Sequence, residues 1–238
     1  MARSRKSSPR HAVHQLALRS RSPSGQKAQY LVDWVQGSPH LTETCEQTLP
    51  HLITHVATTE APKTDEAMTE SIQQEVHQAA LPPGEHLVDA GYVSARVLVN
   101  GNARFGIEVI GPVSLDTQWQ ARTTSGIDAS QFRLDWDHQQ ATCPQGKTSS
   151  SWTSLSRKHH PDLIKIQFSI TDCGSCPRLR DCVHSTSKYQ RRTLTIRPQA
   201  QHAALQAARQ QQRTKTFQQR YALRAGIEAT ISEASARL

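Results

Sequence analysis

A short apolar strand that ends in a carboxylate is the feature that most constrains this chain. Residues 86–92 read His-Leu-Val-Asp-Ala-Gly-Tyr, so the apolar run stops at Asp89 and a glycine turn follows. Any fold that accepts this segment must place one carboxylate at the end of a strand.

A second acidic residue lies in a helical pattern near the C-terminus. Phe217, Tyr221, Arg224 and Glu228 are spaced four, three and four residues apart, which predicts that they share one helix face. A carboxylate at a strand end and another on a helix face can jointly hold divalent cations, because such cations prefer oxygen ligands. Two-metal phosphoryl transfer uses ligands of this kind.

The positive charge of the chain is concentrated toward its two ends. Residues 1–32 carry seven Lys or Arg and no acidic residue, and residues 178–224 carry eleven Lys or Arg and one acidic residue. Residues 33–177 carry nine basic and seventeen acidic side chains. Basic segments bind phosphate backbones with salt-sensitive affinity, so DNA is the expected partner. For the N-terminal leader, a solvated basic tail is the alternative.

The hydrophobic pattern predicts neither a membrane protein nor a secreted one. No apolar run is long enough to cross a bilayer, and no apolar stretch follows the basic residues at the N-terminus. Together with the net charge of +8, this predicts a cytoplasmic, nucleoid-associated protein.

The sequence predicts four segments. Residues 1–27, rich in Ser, Arg, Pro and Gly, are expected to form a basic leader that is disordered or weakly helical. Residues 28–114 alternate strand and helix patterns, which predicts the first part of an α/β core. Residues 115–197 contain short β-rich pieces and many turns, which predicts an inserted module. Residues 198–238 are predicted to be helical and carry Glu228.

Apolar periodicity and turn signals locate the individual elements within these segments. The predicted strands are 30–35, 40–45, 51–59, 86–88, 106–113, 131–136, 163–170 and 192–196. The predicted helices are 65–80, 93–100, 199–212 and 214–236.

Four of the five cysteines fall in the inserted module. Cys143 opens a Cys-Pro-Gln-Gly turn, and Cys173, Cys176 and Cys182 follow it along the chain. Turns of this kind present thiolates to zinc, so the four cysteines are a candidate structural zinc site. The spacing of the last cysteine is looser than in a zinc ribbon, and His184 is an alternative fourth ligand. Reduced cysteines without a metal are the other reading.

These motifs resemble the DDE transposases of bacterial insertion sequences, in particular the subgroup with a Tyr-x2-Arg-x3-Glu signature around its last catalytic acid. The resemblance runs from about Trp34 to the C-terminus. It is carried by several stretches that occur in the family's order, namely residues 40–45, 51–59, 87–92, 119–122, 142–148 and 226–232.

The resemblance implies a ribonuclease-H-like core with an insertion between Asp89 and Glu228, and it implies DNA strand cleavage and transfer at insertion-sequence ends. Asp89 would be the second acid of the catalytic triad and Glu228 the third, both holding Mg²⁺ or Mn²⁺. Arg224 would contact phosphate, and Tyr221 would pack or hydrogen-bond beside the site. Self-association on DNA is a further expectation.

The first acid of the triad is not evident. By the resemblance it belongs on the first core strand, where this chain has only its basic leader, and Asp33 is the acidic residue nearby. The chain resembles a transposase shortened at both ends. We therefore expect a copy that does not cleave DNA, and whether it is an enzyme stays open. The alternative function is a non-catalytic DNA-binding remnant with a structural zinc module.

Overall fold

The structure is a computed structural model that describes residues 12–17, 38–46, 50–59, 64–156 and 162–236. The chain divides into two compact units. We call residues 1–113 and 204–238 the sheet unit, and residues 114–203 the insert unit. The predicted insertion, residues 115–197, falls inside the insert unit.

The sheet unit is built on a mixed five-stranded sheet. Its strands are β1 (Ala12–Ala17), β2 (Ser38–Thr44), β3 (Ile53–Thr59), β4 (Glu85–Val88) and β5 (Glu108–Ile110). Their order in the sheet is β3-β2-β1-β4-β5. The pairs β3/β2 and β2/β1 are antiparallel, and the pairs β1/β4 and β4/β5 are parallel. The mixed α/β class predicted from the sequence is confirmed.

Strand β1 corrects the prediction for the leader, residues 1–27. Its residues Ala12–Ala17 are neither disordered nor helical but form the central strand, with Val13 aligned to Thr44 of β2 and to His86 of β4. The segment reads Ala-Val-His-Gln-Leu-Ala and lacks a clean period of two. Strands on both sides satisfy its backbone hydrogen bonds, so tertiary pairing overrides a weak local pattern.

Strands β2, β3 and β4 lie within two residues of their predicted bounds. The strand predicted at 106–113 is shorter, since β5 ends at Ile110 and the chain then approaches β4 closely. A Cβ on Gly111 would lie 2.4 Å from the carbonyl oxygen of Val88, so only glycine fits there. The strand predicted at 30–35 lies outside the described residues.

Two helices cover the sheet strands in the first part of the chain, α1 (Asp65–Gln78) and α2 (Ala95–Phe105), and both predicted helices are confirmed. The Thr64 side chain caps α1 by accepting a hydrogen bond from the Ala67 N–H. Gly106 ends α2 in the left-handed region, with φ of 67°. The buried face of α1 carries apolar residues at helical spacing, Met68, Ile72 and Val76.

The insert unit has two small antiparallel sheets. One pairs β6 (Arg133–Asp135) with β7 (Gln140–Thr142), and the other has the order β10-β9-β8. The bounds of these last strands are β8 (Ser149–Leu155), β9 (Leu163–Phe168) and β10 (Thr193–Ile196). Alternate residues of β9 are buried and join one apolar core, Ile164, Ile166 and Phe168. Three short helices belong to this unit, α3 (Trp119–Arg122), α4 (Ile170–Gly174) and α5 (Leu179–Cys182).

Three helices follow toward the C-terminus, α6 (Gln199–Gln211), α7 (Lys215–Ala222) and α8 (Ala225–Ala236). The prediction of one continuous helix over 214–236 is wrong. The N–H groups of Leu223 and Arg224 bond to carbonyls three residues earlier, at 3.2 and 3.1 Å, and these tight turns separate α7 from α8. Within the described residues, no helix combines the length and the apolar character that a membrane crossing requires.

Candidate acidic site

Asp89 stands where β4 ends. Its backbone is extended, and the short 3₁₀ turn Ala90–Tyr92 follows it directly. Tyr92 is buried and its hydroxyl lies 2.7 Å from the Nδ1 of the buried His40 of β2, which attaches this turn to the sheet. The two strand residues before Asp89 are fully buried. The turn is therefore fixed by packing, while the Asp89 carboxylate keeps 38 % of its side-chain area exposed.

Helix α7 is held against the same strand. Phe217 and Leu223 pack on the buried cluster of Cys45, Leu87 and Ile110. The hydroxyl of Thr214 accepts a hydrogen bond from the Phe217 N–H and caps the first turn of α7.

Arg220 makes a second attachment of α7 to the sheet. Its Nη2 lies 3.0 Å from the carboxylate of Glu85 on β4 and 3.0 Å from that of Glu108 on β5. Hydrogen bonding to Glu108 raises the pKa of Arg220, against the effect of burial. The packing and these ion pairs place Tyr221 beside the end of β4.

The structure brings Asp89 together with the three residues predicted to accompany it, of which Tyr221 lies in the last turn of α7, Arg224 lies in the turn after it and Glu228 is in α8. The Tyr221 hydroxyl donates to Asp89 Oδ1 at 3.2 Å. Arg224 Nη1 lies 3.1 Å from the same oxygen, close enough for an ion pair but without hydrogen-bond geometry. Arg224 Nη2 donates to Glu228 Oε1 at 2.7 Å. One guanidinium thus bridges the two carboxylates, which lie on separate elements.

Two opposing effects act on the pKa of Arg224. Burial favours the neutral form of Arg224, but the charge of Asp89, with smaller contributions from Tyr221 and Glu228, raises its pKa above the ordinary value. Burial also raises the pKa of the Tyr221 hydroxyl, so this group stays a hydrogen-bond donor. The guanidinium lies 5.3 Å from the centre of the Tyr221 ring.

The two predicted Mg²⁺ ligands of this cluster, Asp89 and Glu228, are both paired with Arg224. Among the described residues, no group of three or more His, Cys, Asp or Glu side chains is arranged to hold a metal ion. The two carboxylates face a guanidinium, and strand β1 beside β4 reads Ala-Val-His-Gln-Leu-Ala, with no acidic residue. The candidate first acid, Asp33, lies outside the described residues.

Sequence reasoning missed a buried carboxylate near this site. Glu43 of β2 is aligned with His14 of β1, which is aligned with Leu87 of β4, so Glu43 belongs to the face that α7 covers. Its side chain is 3 % exposed and lies 3.0 Å from His51 Nδ1, without hydrogen-bond geometry. His51 in turn lies against Gly226 of α8, where a Cβ would come within 2.9 Å of its ring. The sequence offered one signal for this burial, because Glu43 lies two residues from both Leu41 and Cys45 and therefore on the same face of the strand.

The four cysteines predicted to bind zinc line one cavity of about 180 Å³ in the insert unit. Cys143 lies in a turn in which its N–H donates to the Lys147 carbonyl at 2.8 Å. Cys173 is in α4, Cys176 follows it in a turn, and Cys182 ends α5. All four thiols are free, and they do not stand in a ligating arrangement.

The alternative fourth ligand, His184, is placed differently. Its ring stacks on that of Trp119, with centroids 3.5 Å apart and planes 8° from parallel. Cys182 lines the thiol cavity and His184 does not.

Comparison with known proteins gives one finding. The family model described as a transposase DDE domain matches residues 142–238, which is 97 of the 238 residues. No curated protein and no solved structure matches the chain. The matched part contains Tyr221, Arg224 and Glu228 but not Asp89, which the structure brings to them from outside it. The match supports a DDE transposase.

Proposed function

We propose that this chain is a transposase-like protein of an insertion sequence that binds DNA and carries a non-cleaving form of the acidic site used for strand cleavage and transfer. The observation that carries the proposal is that Asp89 and Glu228 meet on the Arg224 guanidinium with no third carboxylate grouped with them among the described residues. In this proposal the arginine holds the two acids close together and competes with a cation for them.

The sheet supports the transposase origin of the site. The order β3-β2-β1-β4-β5, with β2 antiparallel to its neighbours and β1, β4 and β5 parallel, agrees with the ribonuclease-H-like core that the resemblance implies. Asp89 follows β4, next to the central strand β1. A carboxylate here is well placed to meet a helix that crosses the strand ends, and Tyr221 and Arg224 provide that contact.

The charge balance of the site argues against cleavage. Two-metal phosphoryl transfer relies on anionic oxygens that hold the cations which activate the nucleophile and stabilise the leaving group. In this chain one partly buried arginine pairs with both carboxylates and cancels one of their two negative charges, and a divalent cation brought beside that arginine would be repelled by it. The adjacent strand β1 supplies no further carboxylate.

The surface charge supports DNA binding, but fewer basic residues are available to contact phosphates than the eleven that residues 178–224 contain. Of the basic residues in 178–224, Arg178, Arg220 and Arg224 are paired with carboxylates, and Arg192 is buried. Exposed basic residues remain in each unit; they are Arg180, Lys188 and Arg191 in the insert unit and Arg213 and Lys215 in the sheet unit. These side chains are free of the acidic site and are the expected phosphate contacts.

Cleavage by this same copy is the second candidate function. It is favoured by the sequence, because Tyr221, Arg224 and Glu228 follow the signature of the transposases that this chain resembles. A DNA phosphate that drew Arg224 away would release both carboxylates toward metal ions. This function also needs a third carboxylate, for which Asp33 is the candidate.

A DNA-binding titration tests the proposal. Fluorescence anisotropy of a labelled duplex should show binding by the wild type that weakens steeply with salt. The double variant Arg213→Gln/Lys215→Gln should lower the slope of log K against log salt by about 2, since each phosphate contact contributes about 0.9.

The matched control is Arg104→Gln/Arg133→Gln, which removes the same charge from exposed positions outside residues 178–224. It should keep the slope of the wild type. Absence of DNA binding, or equal losses in the two double variants, would remove the proposed DNA contact.

A further inference from the structure

Arg192, just before β10, is a buried arginine that lacks a full set of partners. Its side chain lies in the insert unit, and the residue is 5 % exposed. Nη1 donates to the carbonyl of Cys182 at 3.0 Å, whereas Nε and Nη2 are buried without a hydrogen-bond partner. The guanidinium also lies 5.5 Å from the centre of the Phe132 ring. A buried charge left without a counter-charge costs several kcal/mol, so this arrangement calls for a missing anionic group.

The protein groups around Arg192 do not supply that anion. Asp116 and Asp128 attract it without contact, and no carboxylate in the part of the chain that the structure describes accepts a hydrogen bond from it. The thiol of Cys182 would attract it more than either aspartate, but only as a thiolate. Among the described residues, this buried arginine therefore has no anionic hydrogen-bond partner.

Four thiols border the same cavity as Arg192. The backbone N–H of Arg192 donates to Cys173 Sγ at 3.4 Å, and the guanidinium is held on the carbonyl of Cys182. The cysteines come from two stretches of chain, the turn at Cys143 and the segment from Cys173 to Cys182. N–H groups directed at sulfur stabilise thiolates, and four thiolates around a zinc ion form a closed structural site.

We propose that Cys143, Cys173, Cys176 and Cys182 bind one zinc ion as thiolates and that Arg192 is the buried counter-charge of the resulting site. Binding converts four thiols and Zn²⁺ into a tetrathiolate complex of net charge −2 and releases four protons. Arg192 offsets part of that charge from within the protein. The sulfurs must close in to about 2.3 Å from the ion, which draws the two cysteine-bearing stretches together. This inference is independent of the proposed DNA function.

Metal analysis of the purified chain tests the site itself. One zinc per chain is expected, and cobalt should replace it with the sulfur-to-cobalt charge-transfer absorption of a tetrahedral thiolate site. Cys176→Ser should weaken binding, and Cys45→Ser, which changes a cysteine of the sheet unit, should leave the stoichiometry at one. Protein that carries no zinc after purification and shows no thiolate absorption with cobalt would overturn the proposal.

The role of Arg192 needs its own variants. Arg192→Gln should reduce zinc affinity by about 10- to 100-fold, as for other partners of metal ligands, and Arg192→Lys should restore part of the loss. Arg191→Gln is the control, because Arg191 is the exposed neighbour. Unchanged affinity in Arg192→Gln would show that the arginine is not the counter-charge.

The wild type provides a test that does not depend on folding of a variant. Titration of the metal-free chain with zinc in a weakly buffered solution should release about four protons at a pH below the thiol pKa. Release of no protons, or oxidation of the four thiols to disulfides in place of metal uptake, would contradict the tetrathiolate site.

Discussion

The two units each hold an arginine over an aromatic ring, Arg224 partly buried and Arg192 buried, yet they balance its charge differently. In the sheet unit, Arg224 lies over Tyr221 and contacts two carboxylates. In the insert unit, Arg192 lies over Phe132 and has thiols and a carbonyl around it. The first arginine pairs with two carboxylates, and the second pairs with no carboxylate in the part of the chain that the structure describes. The charge balance of a buried arginine thus indicates which kind of site surrounds it.

The two arginines also differ in access to solvent. The Arg224 side chain is 14 % exposed and its partner Glu228 is 58 % exposed, so DNA or water can compete for this cluster. Arg192 is enclosed by the core of the insert unit. The accessible cluster suits a role at the DNA, whereas the enclosed one suits a role in holding the fold.

Metal removal should produce the largest difference between the units. A structural zinc ion contributes several kcal/mol or more to the unit that binds it, because the site forms only in the folded state. A strong chelator should therefore speed amide exchange in β9 and β10 and leave β4 nearly unchanged, as measured by hydrogen exchange. If the amides of β9 and β10 exchanged at the same rate with and without the chelator, the two units would not differ in their dependence on metal.

Loss of the bridging arginine should have the next largest effect. Arg224→Gln removes a guanidinium bonded to charged groups and is expected to lower the free energy of unfolding by about 1–3 kcal/mol. The same change should strengthen Mn²⁺ binding, because the repelling charge beside Asp89 is gone. Urea denaturation and metal titration measure the two effects.

The control for that change is Arg213→Gln, an exposed position where about 0.5 kcal/mol or less is expected. If Arg224→Gln behaved like this control in both measurements, the guanidinium would not be what holds the two acids together.

The tyrosine of the cluster should matter less. Tyr221→Phe removes the hydrogen bond to Asp89 Oδ1 and keeps the ring beneath Arg224, so a loss of about 1 kcal/mol is expected. Tyr189→Phe, at an exposed tyrosine of the insert unit, should have no measurable effect. Equal stabilities of the two variants would show that the Tyr221 hydroxyl contributes nothing to the cluster.

The smallest effect at neutral pH concerns Cys45 of the sheet unit. Burial, aided by Glu85, Glu46 and Glu43, raises the pKa of this thiol to about 12. The unfolded chain loses the proton near its ordinary pKa of about 8.5, so the folded state holds more protons between the two values. The stability from the protonated thiol is thus present below about pH 8.5 and is lost as pH rises toward 12.

Two measurements examine that thiol. At pH 8 in metal-free protein, Cys45 should be alkylated more slowly than the cysteines of the insert unit. Cys45→Ala should show a weaker loss of stability at alkaline pH than the wild type. Rapid alkylation of Cys45 would indicate that the sheet unit opens easily around it.

The features that the sequence predicted correctly are those that neighbouring residues determine. The strand end at Asp89 and the helical spacing of Tyr221 and Arg224 depend on residues close in the chain, and the structure places these side chains together. Strand β1 was missed because its pairing partners, rather than its own residues, define it. The turn at Arg224 was missed because nothing in that sequence excludes a helix.

The sequence also failed to predict which polar residues are buried. Glu43 and Arg192 are ordinary polar residues in strand-like segments, and their enclosure depends on packing against distant parts of their own units. Sequence spacing identified the four cysteines but could not reveal the arginine beside them, because its proximity arises only when β10 meets α5 and the β9 core.

This chain is proposed to bind DNA without cleaving it, because its acidic site has two carboxylates that both pair with Arg224. Supercoiled plasmid incubated with Mg²⁺ or Mn²⁺ and the wild type, Asp89→Ala or Asp33→Ala tests this, with binding and nicking measured in the same samples. Salt-sensitive retardation of the plasmid and no nicking by any of the three proteins are expected. Metal-dependent nicking by the wild type that both substitutions abolish would show that Asp33 completes a working triad, and it would contradict the account.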